Sequence, residues 1–163
     1  MRVIGIDPGY DRLGIAVLEG TTGAERFIFS TCIETARGDS LPDRIAVAAD
    51  GFMQVLHEYK PDMVALETLF FNQNRNTAMG VAQLRGAVIY IAKKHGCTIT
   101  EYGPQEVKVA TTGYGKSDKG AVITMVKQLI SGVPAVGHDD EYDAIAVALT
   151  ALAHFRSNTS PTL

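Results

Sequence analysis

Hydrophobic residues in the first fifth of the chain follow the pattern of β-strands. A short apolar run over residues 3–6 ends at Asp7, Pro8-Gly9 interrupts it, and a second apolar run covers residues 13–18. A third strand is predicted over residues 26–33, after a Thr-Thr-Gly turn. Three successive strands joined by short turns are typical of an antiparallel meander.

Helical periodicity begins after this meander. Ser40 is the predicted N-cap of a helix whose apolar positions recur as far as Tyr59, and Pro61 ends it. An uninterrupted apolar run over residues 63–67 follows and ends on Glu67. A helix between two strands favours a right-handed crossover, so this fourth strand is expected to lie parallel to an earlier one. If its neighbour is the first strand, Glu67 lies near Asp7.

The second half of the chain alternates helical and strand patterns. Helices are predicted over residues 77–94, 104–108, 117–130 and 140–154, and a fifth strand over residues 97–102. Apolar residues cover most of the circumference of the first of these helices, which indicates burial in the core or against a partner chain. Ser117 is the expected N-cap of the third. We expect one domain over residues 1–155 and a disordered Ser/Thr/Pro-rich tail over residues 156–163.

Composition is that of a globular domain. The 163 residues, of which 46% are hydrophobic and 20% charged, are enough to bury a core. No stretch approaches the ~20 apolar residues that span a membrane. The N-terminus lacks a basic region followed by an apolar one, so the expected location is the cytoplasm. Cys32 and Cys97 match no zinc-site spacing and are expected to be buried free thiols.

Charge is unevenly distributed along the chain. The net charge is −3, yet residues 71–130 contain eight basic and three acidic residues, a balance of +5 that leaves −8 for the remainder. A basic middle in an acidic chain favours a polyanion bound beside metal-binding carboxylates. The alternative is that these lysines, Lys127 among them, only solvate helix surfaces.

Two carboxylates are poorly explained by local structure. A carboxylate in the apolar strand at Asp7 costs several kcal/mol unless something pairs with it, and a divalent cation is one such partner. Alternatively, Asp7 caps the turn at Pro8-Gly9. In the last helix, acidic residues of the first turn suit the helix dipole, but Asp143 lies among apolar residues. Asp139 and Asp140 can each share its face, and spacing does not choose between them.

Four motifs taken together resemble a known family. They are Gly5-Ile6-Asp7-Pro8-Gly9, Ala65-Leu66-Glu67, Gln83-Leu84-Arg85-Gly86 and Asp140-Glu141-Tyr142-Asp143-Ala144. In order and spacing they are similar to the RuvC family of bacterial Holliday junction resolvases, over nearly the whole chain. The resemblance implies an α/β, RNase H-like fold, in which helices flank a five-stranded mixed sheet of order 3-2-1-4-5.

The resemblance also implies an activity and a metal site. A homodimeric endonuclease would resolve four-way DNA junctions by paired nicks that leave 5′-phosphates, in recombination and repair, with the RuvAB branch-migration complex as a further partner. The family's metal ligands map onto Asp7, Glu67, Asp140 and Asp143, which selects Asp140 over Asp139. Some members carry His at the position of Asp140, so the nearby His138 is an additional, though less favoured, candidate ligand. Four carboxylates suit two Mg²⁺ ions, with Mn²⁺ as a substitute.

Other residues acquire roles from the same resemblance. Lys108 and Lys119 match family lysines beside the scissile phosphate, where they could balance transition-state charge. Phe70 matches an aromatic residue that acts at the opened crossover, whereas Phe71 could share this role or lie in the core. Arg75 and Lys116 are further candidate DNA contacts in the basic middle.

Three other functions fit parts of the sequence. The opening hairpin also resembles the phosphate-binding hairpin of actin-like ATPases and sugar kinases, which need two such domains and a much longer chain. Residues 12–17 suit the RuvX/YqgF-type nucleases of ribosomal RNA maturation, which offer no ready place for Asp140 and Asp143. A non-catalytic junction-binding protein is the third alternative, and the intact acidic set argues against it.

Overall fold

The computed structural model describes residues 1–21, 24–68 and 75–159. Its helices and strands follow the predicted order. In chain order they are β1 Arg2–Asp7, β2 Arg12–Thr21, β3 Ala24–Glu34, α1 Leu41–Tyr59, β4 Met63–Glu67, α2 Arg75–Lys94, β5 Thr98–Tyr102, α3 Pro104–Thr112, α4 Lys119–Leu129 and α5 Asp139–Thr159.

The five strands form one mixed sheet in the order β3-β2-β1-β4-β5. β1, β2 and β3 pair antiparallel as the predicted meander, whereas β4 lies parallel to both β1 and β5. Ile6 of β1 pairs with Leu66 of β4, and the next residue on each strand is a carboxylate, Asp7 or Glu67. The crossover through α1 therefore brings these two acids to the same edge of the sheet.

Each face of the sheet is covered by helices, and the alternation of side chains along β1 divides the core in two. Ile4 and Ile6 pack with residues of α1 and α2, such as Phe52. Val3 packs on the opposite face, where α3, α4 and α5 contribute residues such as Ile145. Since Asp7 and Glu67 are in phase with Val3 and Ala65, their side chains point to the face that α5 covers.

Several boundaries differ from the predicted ones. α2 begins at Arg75, α3 continues to Thr112, and α5 runs from Asp139 through Thr159, beyond the predicted end at residue 154. The predicted N-cap Ser117 was wrong, because Asp118 caps α4 by accepting a hydrogen bond from the Ala121 N–H at 2.8 Å. The Ser117 hydroxyl is instead 2.7 Å from that of Thr112, within a hydrogen-bonded turn that joins α3 to α4.

Burial also corrects two expectations. Cys97 is buried as predicted, but Cys32 is only half-buried, because β3 is an edge strand. α2 is not surrounded by the core of its own chain, since Leu84 and Val88 are fully buried whereas Tyr90 remains 64% exposed. Burial of its outer side against a partner stays a prediction. Across the part of the chain that the structure describes, no helix combines the length and apolarity needed to cross a membrane.

Candidate active site

Two glycines allow α5 to approach the sheet beside Asp7. A Cβ atom on Gly5 would lie 2.1 Å from the backbone oxygen of Ala144, and one on Gly14 would lie 2.1 Å from that of Asp140. No side chain fits in either gap, so the first turns of α5 lie directly on β1 and β2. This close contact places the acidic start of α5 over the strand ends that bear Asp7 and Glu67.

Burial and the charges of neighbouring carboxylates raise the pKa of three acids on this face, Asp7, Glu67 and Asp143. Burial, followed by the negative charges of Asp143, Glu67 and Asp140, raises the pKa of Asp7 to about 8. Burial and the charge of Asp143 also raise the pKa of Glu67. Burial raises the pKa of Asp143, although its hydrogen bond to Lys119 works in the opposite direction. The four predicted ligands therefore form one electrostatically coupled group, and that group is short of positive charge.

Two lysines adjoin the carboxylates. Lys119, the first residue of α4, places its Nζ atom 2.9 Å from Asp143 Oδ2 and 3.6 Å from Asp139 Oδ2. Burial lowers the pKa of Lys119, but the hydrogen bond to Asp143 and the surrounding negative charges outweigh it and raise the pKa overall. Lys108 of α3 lines a cavity of about 230 Å³ together with Glu67, Lys119 and Asp143.

Asp140 and Asp139 have different surroundings. Asp140 is mostly buried and contributes to the raised pKa of Asp7, whereas Asp139 is exposed and pairs with Lys119. The Nε atom of Arg12 lies 3.1 Å from Asp140 Oδ2, but the contact lacks hydrogen-bond geometry and this buried oxygen has no hydrogen-bond partner. Asp140 is therefore better placed than Asp139 to act with Asp7.

The ligand atoms of Asp140 also lie close to softer donors. Within the described ranges, one group of three potential metal-binding side chains has all its ligand atoms within 4.8 Å of one another, and it consists of Cys32, His138 and Asp140. The four carboxylates themselves are not gathered that tightly. Burial, with the charge of Asp140 second, raises the pKa of the Cys32 thiol to about 12, so the thiol is neutral at pH 7.

Some predicted site residues cannot be placed. Phe70 and Phe71 lie outside the described residues, and for Arg75 the structure describes only the helical backbone. Lys116 is exposed in the turn between α3 and α4.

Sequence reasoning gave no site role to two arginines. Arg12 contacts Asp140, and Arg85 donates a hydrogen bond to the backbone oxygen of Glu67 and pairs with Glu101 at 2.7 Å. The buried Arg85 thus fixes the end of β4 from the opposite side. Its position in the Gln83-Leu84-Arg85-Gly86 motif was the available signal.

Comparison with known proteins agrees with this arrangement. The family model described as crossover junction endodeoxyribonuclease RuvC matches residues 3–151. The chain belongs to the RuvC family. A RuvC from Rickettsia conorii is 35% identical over 152 residues, which cover 93% of this chain and 97% of that relative.

Solved RuvC structures extend the similarity to three dimensions. The Thermus thermophilus RuvC structure matches with a TM-score of 0.87 and 32% identity, covering 100% of both chains. A structure of T. thermophilus RuvC in complex with a Holliday junction substrate matches with a TM-score of 0.90 and 31% identity, covering 100% of this chain and 99% of that one. The predicted RNase H-like fold is confirmed, and RuvC membership outweighs the YqgF-type and actin-like alternatives.

Proposed function

We propose that this RuvC family member is a Mg²⁺-dependent endonuclease that resolves four-way DNA junctions by paired, symmetric nicks, in recombination and repair. The observation that carries the proposal is the coupled set of Asp7, Glu67, Asp140 and Asp143 beside Lys119, on the face where α5 meets β1 and β4. The solved complex of T. thermophilus RuvC with a Holliday junction supports this choice of substrate. RuvAB as a further partner and a cytoplasmic location stay predictions.

The carboxylate set fits divalent cations by its chemistry. Its ligand atoms are hard oxygens, which favour Mg²⁺ or Mn²⁺. The raised pKa of Asp7 reflects its burial and, second, the negative charge of the neighbouring carboxylates. Asp7, Glu67, Asp140 and Asp143 would hold two ions. Bound there, the ions would supply water activation and neutralise charge on the leaving 3′ oxygen, so that a 5′-phosphate remains.

The lysines stabilise charge that develops on the phosphate. Lys119 is held at the site by Asp143, so its ammonium group needs little reorganisation when the phosphorus becomes five-coordinate in the transition state. Lys108 approaches from α3 across the same cavity and adds a second positive charge. Together the two lysines offset the negative charge of the transition state, which the nearby carboxylates would otherwise repel.

The remaining proposed contacts hold and open the junction. Phe70, with Phe71 as the alternative, stacks on a base at the crossover, an interaction worth about 1–3 kcal/mol. Arg75 and Lys116 bind backbone phosphates. Two copies of the chain act together, which supplies one active site for each of two opposed strands.

One assay tests the activity and its rivals. Four-way junction, linear duplex and structured RNA are incubated with Mg²⁺ or EDTA, and all nicks are mapped. We expect symmetric nicks, confined to the junction and absent in EDTA. RNA cleavage would favour a YqgF-type activity, and junction binding without nicks would favour a non-catalytic protein.

The assignment of ligands is tested by variants that keep the shape of the side chain. Asp7→Asn and Glu67→Gln should each abolish cleavage, while junction affinity stays within a few-fold because cationic side chains supply most of it. Asp50→Asn, at an exposed position of α1, is the matched control and should cleave normally. Substantial nicking by either variant in Mg²⁺ would remove that residue from the proposed metal site.

A further inference from the structure

Cys32, His138 and Asp140 form a donor set of which the proposed Mg²⁺ chemistry uses only Asp140. One ligand atom from each lies within 4.8 Å of the other two. The group is at the edge of the carboxylate site, on the side of β2 and β3, and shares one member, Asp140, with it. A thiol and an imidazole are poor ligands for Mg²⁺, so their place beside Asp140 needs a separate explanation.

The sheet register brings Cys32 under the first turn of α5. Cys32 pairs directly with Gly14 in the antiparallel β2–β3 ladder, and directly opposed residues project to the same face. Because Gly14 has no side chain, the backbone of Asp140 occupies the space that its Cβ atom would fill. The absence of a side chain at Gly14 thus lets Asp140 lie close to Cys32.

His138 is held over this position by a network of acidic and polar groups. Its backbone N–H donates to Glu141 Oε1 at 3.3 Å, while the other Glu141 oxygen accepts from the Ser30 hydroxyl at 2.7 Å. These bonds connect the residues just before α5 to β3. Glu34 Oε1 lies 3.5 Å from His138 Nε2, where a carboxylate can orient a ligating imidazole.

The donor chemistry selects a borderline-soft ion. Sulfur, imidazole nitrogen and a carboxylate oxygen are ligands of Zn²⁺, which is commonly held by three protein ligands and a water molecule. The buried Oδ2 atom of Asp140 accepts no hydrogen bond but lies 3.1 Å from Arg12 Nε, so a metal ion that binds this oxygen replaces that ion pair. On binding, a Zn–S bond forms, the Cys32 S–H bond breaks, and the proton passes to solvent.

We propose that Cys32, His138 and Asp140 bind Zn²⁺, and that this binding inhibits the nuclease by withdrawing Asp140 from the Mg²⁺ site. The inhibitory part rests on the proposed function, whereas the binding part does not. Zn²⁺ and Mg²⁺ would compete through their shared carboxylate, although they use different remaining ligands. Cys32 is the residue that separates the two sites, since it takes no part in the proposed catalysis.

The binding part is tested with Co²⁺, a spectroscopic substitute for Zn²⁺, on reduced, untagged protein. We expect a thiolate-to-Co²⁺ absorption band in the near ultraviolet that appears on titration and disappears when Zn²⁺ is added. Cys32→Ser should abolish the band and weaken Zn²⁺ binding at least tenfold. Cys97→Ser is the matched control and should keep both the absorption band and the Zn²⁺ affinity. Cys97 lies elsewhere, at a separate surface cavity that His57 and His95 also line. A band that survives in Cys32→Ser, or no band in the wild type, would overturn the site.

The inhibitory part is tested by titrating Zn²⁺ into the junction cleavage assay at fixed Mg²⁺. Cys32→Ser should cleave like the wild type without Zn²⁺ and need at least tenfold more Zn²⁺ for half inhibition. Equal inhibition of both proteins would place the inhibitory ion at the carboxylates and overturn this part. If the wild type does not cleave junctions at all, the proposed function fails, while the Co²⁺ experiment still decides the binding site.

Discussion

At the scale of single residues, Asp7 is the side chain whose ionisation conflicts most with its surroundings. In the metal-free protein its pKa of about 8 means that the folded state holds a proton that the unfolded chain releases near pH 4. The unfolded state therefore binds fewer protons between these values, and stability falls as pH rises from about 4 to about 8. The cation-binding carboxylates are thus expected to lower the stability of the metal-free protein at neutral pH.

We expect Asp7→Asn to stabilise the metal-free protein. In EDTA at pH 8 its melting temperature should exceed that of the wild type by about 5 °C. The difference should shrink towards pH 4, where Asp7 of the folded protein is protonated and therefore as neutral as Asn. Asp50→Asn should show no such pH-dependent gain. Thermal melting at several pH values checks this, and a constant difference across the range would contradict the raised pKa.

Lys119 provides a second prediction at this scale. Lys119→Ala should slow single-turnover junction cleavage about a hundredfold while junction affinity changes only a few-fold, because its charge acts mainly in the transition state. Lys127→Ala is the control on the same helix. Lys127 donates to the Ala135 backbone oxygen at 2.8 Å and lies over the Tyr142 ring, so its loss affects local packing and leaves the cleavage rate near that of the wild type. Equal rate losses would indicate diffuse electrostatics instead of a positioned group.

At the scale of elements, the contact between α5 and the sheet decides where the acids meet. Gly14→Ala places a methyl group against the Asp140 backbone, and a backbone atom cannot move aside as a flexible side chain can. We expect a loss of about 2 kcal/mol, or about 5 °C in melting temperature, together with reduced cleavage because Asp140 is displaced. Gly38→Ala, where nothing lies within 4 Å of the added carbon, should be neutral in both measurements. Normal cleavage by Gly14→Ala would show that α5 need not lie so close.

Elements were predictable where periodicity and burial agree. The apolar runs that end on Asp7 and Glu67 identified β1 and β4. The crossover rule predicted that β4 lies parallel to an earlier strand, and the strand order implied by the RuvC resemblance made that strand β1. The N-cap of α4 was missed because Ser117 and Asp118 are both good caps, and the choice depends on Thr112, which engages the Ser117 hydroxyl. Such a contact between two helix ends has no signature in the local sequence.

For the candidate site, the sequence predicted the acidic residues but not every neighbour that the fold brings to them. Spacing could not separate Asp139 from Asp140. The resemblance to RuvC selected Asp140, which the structure shows to be the more buried of the two. The pairing of Cys32 with Gly14, and hence the nearness of Cys32 to Asp140, depends on the register of β2 and β3 and on the approach of α5. Register between strands joined by a turn of unknown geometry cannot be read from composition.

At the scale of the whole molecule, the outer side of α2 is an exposed surface among the residues that the structure describes. Met79, Gln83, Gly86 and Tyr90 are all exposed, and their spacing places them in one stripe along the helix. Nothing lies within 4 Å of the position of a Cβ atom on Gly86, so another helix could approach closely there. The proposed dimer would bury this stripe, which accounts for the apolar pattern around α2 better than the core of one chain does.

The last prediction tests this surface. Tyr90→Glu should weaken the dimer at least tenfold, because a buried carboxylate without a partner is costly, and the nicks should lose their pairing across the junction. Leu129→Glu is the control, since it places the same charge on an exposed apolar position of α4. Both variants should melt near the wild-type temperature, because both side chains are largely exposed in the single chain. Sedimentation at low micromolar concentration measures the dimer, and an unchanged mass for Tyr90→Glu would move the interface away from α2. If the mass halves while nicking stays paired, two monomers cut independently, and the symmetry of the reaction comes from the junction and not from the protein.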